Sequence, residues 1–210
     1  METATKRVRK LERGIQTLSP LGRRRHHRTP IYRADEPKTG KYRVGKTPFR
    51  LNGRPCTPGC LRSVKKNGEQ SIGRSKGGLT TKIHMMAADA NTPIDFILSA
   101  GQAHDAPFGR LLMETVGKQK TWIPLLMDRA YEDDTTRLTA QLLGFDPVVP
   151  PKKNRLIHWE YDKELYKQRN EVERLFRLIQ GFRRIFCRFD KLDKMYIGFI
   201  QFAFIYMAIK

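Results

Sequence analysis

Between residues 73 and 150 the apolar residues fall in short stretches separated by Gly, Pro, Asn and Asp, which is typical of β-strands joined by turns. Thr81–Ala90 and Ile94–Gly101 predict the two strands of a hairpin. Two further strands are predicted at Trp122–Asp128 and Pro147–Pro150. The middle of the chain is therefore predicted to contain a β-sheet.

Helical spacing takes over between these strands and in the last third of the chain. Phe108–Val116 and Thr135–Leu143 repeat apolar residues every three or four positions, and Gly144 is a suitable C-cap for the second. Asp162–Arg184 is a longer amphipathic run. Tyr196–Ile209 is almost wholly apolar but shorter than the roughly 20 residues that span a bilayer, so we expect a buried core helix. Strands and helices together predict an α/β fold, a mixed sheet flanked by helices.

Charge separates the N-terminal part from the rest of the chain. The net charge of the 210 residues is +20, and residues 1–70 carry 19 Lys and Arg against 5 Asp and Glu. Such a basic chain favours a polyanion such as nucleic acid as its partner, because neutralised phosphates release counterions. Residues 1–64 show no sustained periodicity, and we expect a basic, irregular and largely disordered arm there.

Three cysteines and the N-terminal residues bear on the cellular compartment. Cys56 and Cys60 resemble half of a metal knuckle, but the only neighbouring ligands are His26 and His27, so a zinc site is not favoured. An odd number of cysteines, with Cys187 as the third, gives no disulfide framework. No signal peptide is recognisable, and we expect a cytoplasmic protein without a membrane partner.

Two segments carry candidate chemistry. Asp128 follows a predicted buried strand, where the sheets of α/β proteins place their sites, although an Asp there is more often a turn former or helix cap. Tyr166, Arg169 and Glu173 are spaced so that a helix would bring all three to one face, with a cation one turn from the acid. Ordinary surface Glu–Arg pairs would look the same, so spacing alone leaves both interpretations open.

The order of several motifs decides between them. The pattern Y-x2-R-x3-E, formed by Tyr166, Arg169 and Glu173, resembles the signature of the DDE transposases of bacterial insertion sequences. Further motifs occur in the order and spacing of the insertion-sequence-five group of that family: GRSKGGLTTKIH, FILSAGQAHDAP, MDRAYEDD, PPKKN, YDKELYKQRNEVERLF and GFRRIFCRFDK. The resemblance covers roughly Lys65–Lys210.

The resemblance implies a ribonuclease H-like fold and a metal-dependent site. Asp128 matches the family's second catalytic Asp and Glu173 its catalytic Glu, so both are expected to be catalytic residues and metal ligands. Tyr166 and Arg169 would support Glu173, and Arg177 would supply a further cation. An intact site would hold two Mg²⁺ or Mn²⁺ ions, which activate a water or a 3′-hydroxyl and stabilise the leaving oxygen.

The implied partner is double-stranded DNA, both transposon ends and target, with a homodimer on DNA as one option. Candidate phosphate contacts are basic residues in two clusters, although solvated surface is an equally good interpretation of each. They are Lys152, Lys153, Arg155, Arg183 and Arg184. A basic RNA-binding or ribosomal protein would share the charge but would leave the ordered motifs unexplained.

The sequence departs from the family where the first catalytic Asp is expected, near residues 50–52. No acid lies between Glu36 and Glu69 and no strand pattern is recognisable there, so the first ligand and its strand are predicted to be missing. Asp105 is the best substitute. Our hypothesis divides the chain into residues 1–64, a frameshifted or rearranged arm, and residues 65–210, a catalytic domain lacking its first strand. An impaired transposase and a catalytically dead remnant that only binds DNA both fit this organisation.

Overall fold

The computed structural model describes residues 40–51, 68–76 and 78–209, and these residues build one mixed β-sheet. The strands are β1 Tyr42–Leu51, β2 Gly73–Ser75, β3 Gly78–Ala87, β4 Pro93–Ala100, β5 Ile123–Met127, β6 Phe145–Val148 and β7 Cys187–Arg188. The main path runs β2-β3-β1-β5-β6, with β4 paired to β3 and β7 to β1. β1 is central: it is antiparallel to β3 and parallel to β5. The predicted mixed sheet is confirmed.

Six α-helices lie among the described residues, and most match a predicted segment. They are α1 Asp105–Val116, α2 Asp134–Leu142, α3 Lys163–Lys167, α4 Asn170–Gln180, α5 Arg183–Phe186 and α6 Asp193–Ile209. Gly144 has a φ of 83°, as expected of a glycine that follows a helix C-terminus. None of the helices in the described ranges is long and apolar enough to cross a membrane.

The sheet separates two apolar cores because successive side chains of a strand point to opposite faces. On β3, Ile83 and Met85 face a core shared with α4 and α6, which contribute residues such as Phe176 and Ile200. Met86 faces a second core that includes Leu112 of α1 and residues of β1, β5 and β6. Helices therefore cover both faces of the sheet.

The central strand β1 corrects the sequence analysis. We predicted no strand between Asp35 and Glu69, but Tyr42–Leu51 is paired on both sides. Its apolar signal is short, because Tyr42 and Val44 flank a buried Arg43 that pairs with an acid from another part of the chain. A strand whose inward face carries a charge cannot be recognised from alternation alone.

One helix division, one strand boundary and the burial of the last helix also differ from the predictions. The run Asp162–Arg184 is not one helix: tight turns at Gln168 and Gly181 divide it into α3, α4 and α5. β6 begins at Phe145, two residues before the predicted Pro147. α6 is not fully buried, since one of its faces is open to solvent, with Phe202 64% exposed.

Part of the sequence-based division lies outside the described residues. Residues 1–39 and 52–67 belong there, and with them Cys56, Cys60 and the proposed boundary near residue 64. That boundary and the frameshift hypothesis stay predictions.

Candidate active site

Asp128 lies at the edge of the sheet, immediately after β5. It caps a short 3₁₀ helix, Arg129–Tyr131, and its Oδ1 accepts a hydrogen bond from the backbone N–H of Arg129 at 2.8 Å. This is the helix-cap role that an isolated Asp after a strand most often has. Its side chain is only partly buried, so the carboxylate keeps a side open toward solvent.

The turn that carries Asp128 is anchored in the interior by Tyr131. The Tyr131 hydroxyl lies 2.8 Å from Nδ1 of His84, and the Nε2 of that ring lies 2.7 Å from Oγ of Ser99. All three side chains are buried, and the imidazole stacks on Phe108 with ring centroids 5.0 Å apart. Burial, assisted by Asp105 and Asp128, raises the pKa of Tyr131 well above its usual value, so the phenol stays protonated. A fully bonded buried network of this kind fixes the backbone that leads away from Asp128.

Glu173 lies in the first turn of α4 and pairs with Arg169. Its Oε1 is 2.8 Å from Nη2 of Arg169, and its side chain is 46% exposed. The Arg169 guanidinium also lies over the ring of Tyr166, 5.7 Å from the ring centroid. The predicted association of Tyr166, Arg169 and Glu173 is therefore present, although the helix breaks between the first and the last of them.

Asp128 and Glu173 both act electrostatically on Arg169. Burial lowers the pKa of Arg169, but attraction to Tyr166, Glu173 and Asp128 outweighs burial and raises it. Burial also raises the pKa of Tyr166, and Asp128 adds to that rise. The backbone geometry relates the two acids more directly, because β1 runs beside Asp128, and a Cβ atom on Gly45 of that strand would lie 2.7 Å from Cγ1 of Val172, the residue before Glu173.

Among the residues that the structure describes, no third carboxylate joins them. The register pairs Val44 of β1 with Met127 of β5, so Gly45 is the next residue beside Asp128. Asp105, the substitute suggested by sequence, pairs with Lys82 through an Oδ1–Nζ distance of 2.9 Å. No group of three His, Cys, Asp or Glu that could hold a metal ion occurs in the described ranges. Asp128 and Glu173 are oxygen donors of the type that Mg²⁺ prefers, and two carboxylates can hold one such ion, but not the pair of ions of an intact site.

Comparison with known proteins identifies the family. The family model described as a transposase DDE domain matches residues 47–208. The chain belongs to the DDE transposase family. A Brucella ovis protein named as a transposase for insertion sequence element IS6501 is 26% identical over 126 residues, which cover 60% of this chain and 95% of that protein. The mixed sheet with helices on both faces agrees with the mixed α/β fold that the sequence predicted.

A solved structure, the piggyBac transposase synaptic complex with hairpin DNA, is also similar to this transposase. The TM-score is 0.48 at 10% sequence identity. The likeness covers 80% of this chain and 45% of the piggyBac chain, so the chain spans less than half the length of that protein.

Two of the predicted DNA contacts in the transposase are engaged by an acid that the sequence analysis did not single out. Glu132 is buried, and its carboxylate lies 3.0 Å from Nζ of Lys152 and 2.9 Å from Nε of Arg155. Arg155 also lies above the indole ring of Trp159. Lys153 is exposed between them. Both lysines of the PPKKN loop are thus exposed, and Lys152, together with Arg155 just after the motif, anchors the loop to the fold through Glu132.

The remaining predicted cations lie on the surface of the helical layer. Arg183 and Arg184 are exposed on α5, and Arg184 makes a long 3.7 Å contact with Asp190. Arg177 is exposed on α4, one turn beyond Glu173. Their exposure is compatible with phosphate contacts.

Three functional or supporting residues were missed at the sequence level: His84, Glu132 and Arg43. Glu132 lies within the MDRAYEDD motif, and its place in that motif was the available signal. His84 and Arg43 were hidden because their partners lie 15 to 128 positions away in sequence. Buried polar residues inside strands are the kind that only a three-dimensional pairing explains.

Proposed function

We propose that this transposase acts on double-stranded DNA, cleaving and joining strands at the ends of an insertion sequence, with Asp128 and Glu173 as its catalytic metal ligands. The observation that supports the proposal is the position of the two acids near one end of β1. Gly45 is the residue beside Asp128, and a Cβ atom on Gly45 would lie 2.7 Å from Cγ1 of Val172, the residue before Glu173. Family membership supports the reaction class, because phosphoryl transfer asks a protein mainly for positioning and for compensation of charge.

Each side chain has a definite role in this proposal. A divalent ion, Mg²⁺ or Mn²⁺, would supply Lewis-acid activation of the phosphodiester and its attacking oxygen. Asp128 and Glu173 would hold that ion at the edge of the sheet. Arg169 would orient Glu173 through their ion pair, and Tyr166 lies against the guanidinium. The DNA backbone would be bound by Lys153, Arg177, Arg183 and Arg184, which are exposed.

A second candidate function is DNA binding without cleavage. It is favoured by Gly45, which stands beside Asp128 on β1 and offers no ligand. Mg²⁺ requires near-ideal octahedral coordination, so a site with one carboxylate fewer would be severely weakened. The exposed basic residues would be unaffected by that loss. This candidate retains the binding part of the first proposal and removes its chemistry.

Nicking of supercoiled plasmid DNA that carries the sequences flanking the gene distinguishes the two functions. The wild-type chain should nick in the presence of Mn²⁺, and Asp128→Ala and Glu173→Ala should each reduce the rate by about a hundredfold or more, since loss even of a residue supporting a metal ligand costs about 10- to 100-fold. Both variants should retain DNA affinity in a gel-shift measurement. Absence of nicking together with normal binding establishes the second function. Nicking that both variants retain excludes the first.

The N-terminal boundary is a further part of the proposal. We propose that residues 1–64 contain the product of a frameshift or rearrangement, because strongly basic sequence gives way to family motifs near Lys65. The strand β1 and the start of the family match at residue 47 fall inside this segment, so the rearranged product would include part of the folded domain. The upstream DNA, translated in its other two frames, should encode a strand that ends in an Asp-Ser-Thr-like motif. A DNA sequence that lacks this motif in both frames contradicts the proposal.

A further inference from the structure

Arg43 is a charged residue buried in the central strand of the sheet. Its side chain is only 2% exposed. Moving a guanidinium out of water is costly unless each of its donors finds an acceptor. The groups that accept hydrogen bonds from Arg43 therefore identify the segments of the chain that this strand positions.

Those acceptors lie mainly at the junction between α3 and α4. Nε of Arg43 donates to the carbonyl oxygen of Gln168 at 3.2 Å, and Nη2 lies 2.7 Å from Oε2 of Glu171. Nη1 donates to the carbonyl oxygen of Ala88 at the end of β3. Arg169 lies between the two junction acceptors, and Glu173 follows two residues after the second. Arg43 therefore anchors the segment of backbone that carries Arg169 and Glu173.

Gly45 determines how closely α4 packs against β1. It lies two residues from Arg43 and therefore on the same face of β1. A Cβ atom at this position would lie 2.7 Å from Cγ1 of Val172 and 3.5 Å from Cε2 of Phe176. The helix therefore packs closer to β1 than any side chain at position 45 would permit. Arg43 sets where α4 begins, and Gly45 sets how deeply it is seated.

The same strand also locates Asp128. β1 and β5 are parallel, and their paired residues end at Val44 and Met127, directly before Gly45 and Asp128. Asp128 is thus positioned by the pairing of β5 with β1. Glu173 is positioned by the contacts that Arg43 and Gly45 make with α4. Displacement of α4 relative to β1 would change the separation of the two carboxylates.

We propose that Arg43 and Gly45 form a positioning clamp on β1 that sets the place of Glu173 relative to Asp128. The proposal rests on the proposed function only in assigning metal to these two acids, since the clamp itself is a matter of geometry. Both residues precede residue 47, where the match to the transposase DDE model begins. The clamp is therefore a feature of this chain outside the matched family segment.

Chemical crosslinking can measure the clamp without any metal. Asp128→Cys and Glu173→Cys are introduced together, with Cys56, Cys60 and Cys187 changed to Ser, and the rate of bridging by a short bifunctional thiol reagent is followed. Arg43→Met is then added. The rate should fall several-fold, because bridging depends on the effective concentration of one thiol at the other.

Arg188→Met is the matched control. Arg188 is also fully buried and pairs with one carboxylate, Asp193, at 2.7 Å. It donates to three backbone carbonyls and to the Thr81 hydroxyl. Its loss should lower stability by a similar amount but leave the bridging rate within twofold of the parent. Arg43→Lys, which keeps a charge beside Glu171, should recover part of the rate and replaces Arg43→Met if that variant fails to fold. Equal rates in the Arg43 and Arg188 variants at equal stability overturn the clamp.

Mn²⁺ binding, measured by electron paramagnetic resonance on chains with intact Asp128 and Glu173, connects the clamp to the proposed function. Arg43→Met should weaken binding about tenfold or more, the usual cost of losing a residue that orients a metal ligand, and Arg188→Met should not. Should the wild-type chain bind Mn²⁺ no better than Asp128→Ala, the metal assignment fails. The crosslinking rates still decide the clamp in that case.

Discussion

Two carboxylates in this transposase, Asp193 and Glu173, each pair with one arginine, yet their surroundings differ in nearly every other respect. Asp193 is buried at the start of α6: its Oδ1 is 2.7 Å from Nη2 of Arg188 and accepts from the Ser71 N–H at 2.8 Å, and its Oδ2 accepts from the Ser71 hydroxyl at 2.6 Å. Glu173 is nearly half exposed and forms an ion pair with Arg169. The difference separates an acid that holds the fold together from one that retains capacity for another ligand.

The contrast shows what a metal-binding edge of a sheet requires. Buried lone pairs that are fully satisfied by protein donors have nothing left for a cation, whereas Asp128 and Glu173 keep open sides toward solvent. Their ordering must come from beneath, through the Tyr131–His84–Ser99 network and through β1. Rigid supports and open carboxylates are complementary requirements of a preorganised site.

The largest expected effect tests the structural side of this contrast. Asp193→Ala should lower the free energy of unfolding by about 3–5 kcal/mol, because Arg188 would be left as a buried charge without its partner. Asp128→Ala should change it by less than about 1 kcal/mol, the loss of an exposed cap. Urea denaturation followed by circular dichroism measures both. Similar losses in the two variants would erase the distinction between structural and open carboxylates.

The sequence predicted the positions of the two candidate metal ligands better than those of the residues that support them. Asp128 and Glu173 belong to contiguous motifs, so their placement after β5 and on α4 could be predicted from local patterns together with the family resemblance. β1 could not, because its identity as a strand depends on Arg43 meeting Glu171, 128 positions later. Likewise, a helical periodicity over Asp162–Arg184 does not reveal the breaks at Gln168 and Gly181.

Tight packing beneath the open site gives the next largest effect. Gly45→Ala should destabilise the chain by about 1–3 kcal/mol, since the added Cβ would overlap Val172. Gly198→Ala is the control: a Cβ at position 198 of α6 would meet nothing within 4 Å, and the change should stabilise the helix by about 0.5–1 kcal/mol. Thermal unfolding of the two variants should therefore shift in opposite directions. A neutral or stabilising Gly45→Ala would mean that α4 is not closely seated on β1.

Glu132 lies between the two extremes, because it is buried like Asp193 but borders the candidate site. Burial alone would raise the pKa of Glu132, but hydrogen bonds and attraction from Lys152 and Arg155 outweigh it and lower the pKa. An acid whose pKa is lower in the folded state stabilises the fold at neutral pH and loses that contribution as the pH falls through and below about 4.5.

Glu132→Gln should therefore be less stable than the wild-type chain at pH 7, by about 1–2 kcal/mol, the order of a charged hydrogen bond. The difference should shrink on acidification, because the wild-type chain gives up the stabilisation that the variant already lacks. Urea titrations at a series of pH values measure it. A difference that stays constant from pH 7 to pH 3 would remove Glu132 as the anchor of the PPKKN loop.

The smallest effect concerns the two lysines of that loop, of which one forms an ion pair with a buried acid and the other faces solvent. Lys153 is exposed, whereas Lys152 contacts the buried Glu132. If Lys153 contacts a phosphate, Lys153→Ala should reduce the slope of log binding constant against log salt concentration by about one, and lower affinity uniformly across DNA sequences. Lys152→Ala should change this slope less and the free energy of unfolding more, because Lys152 already forms an ion pair with Glu132. Fluorescence anisotropy with a labelled duplex at several salt concentrations separates the two lysines, and equal slopes for both variants would show that ion pairing with Glu132 does not determine which residue meets DNA.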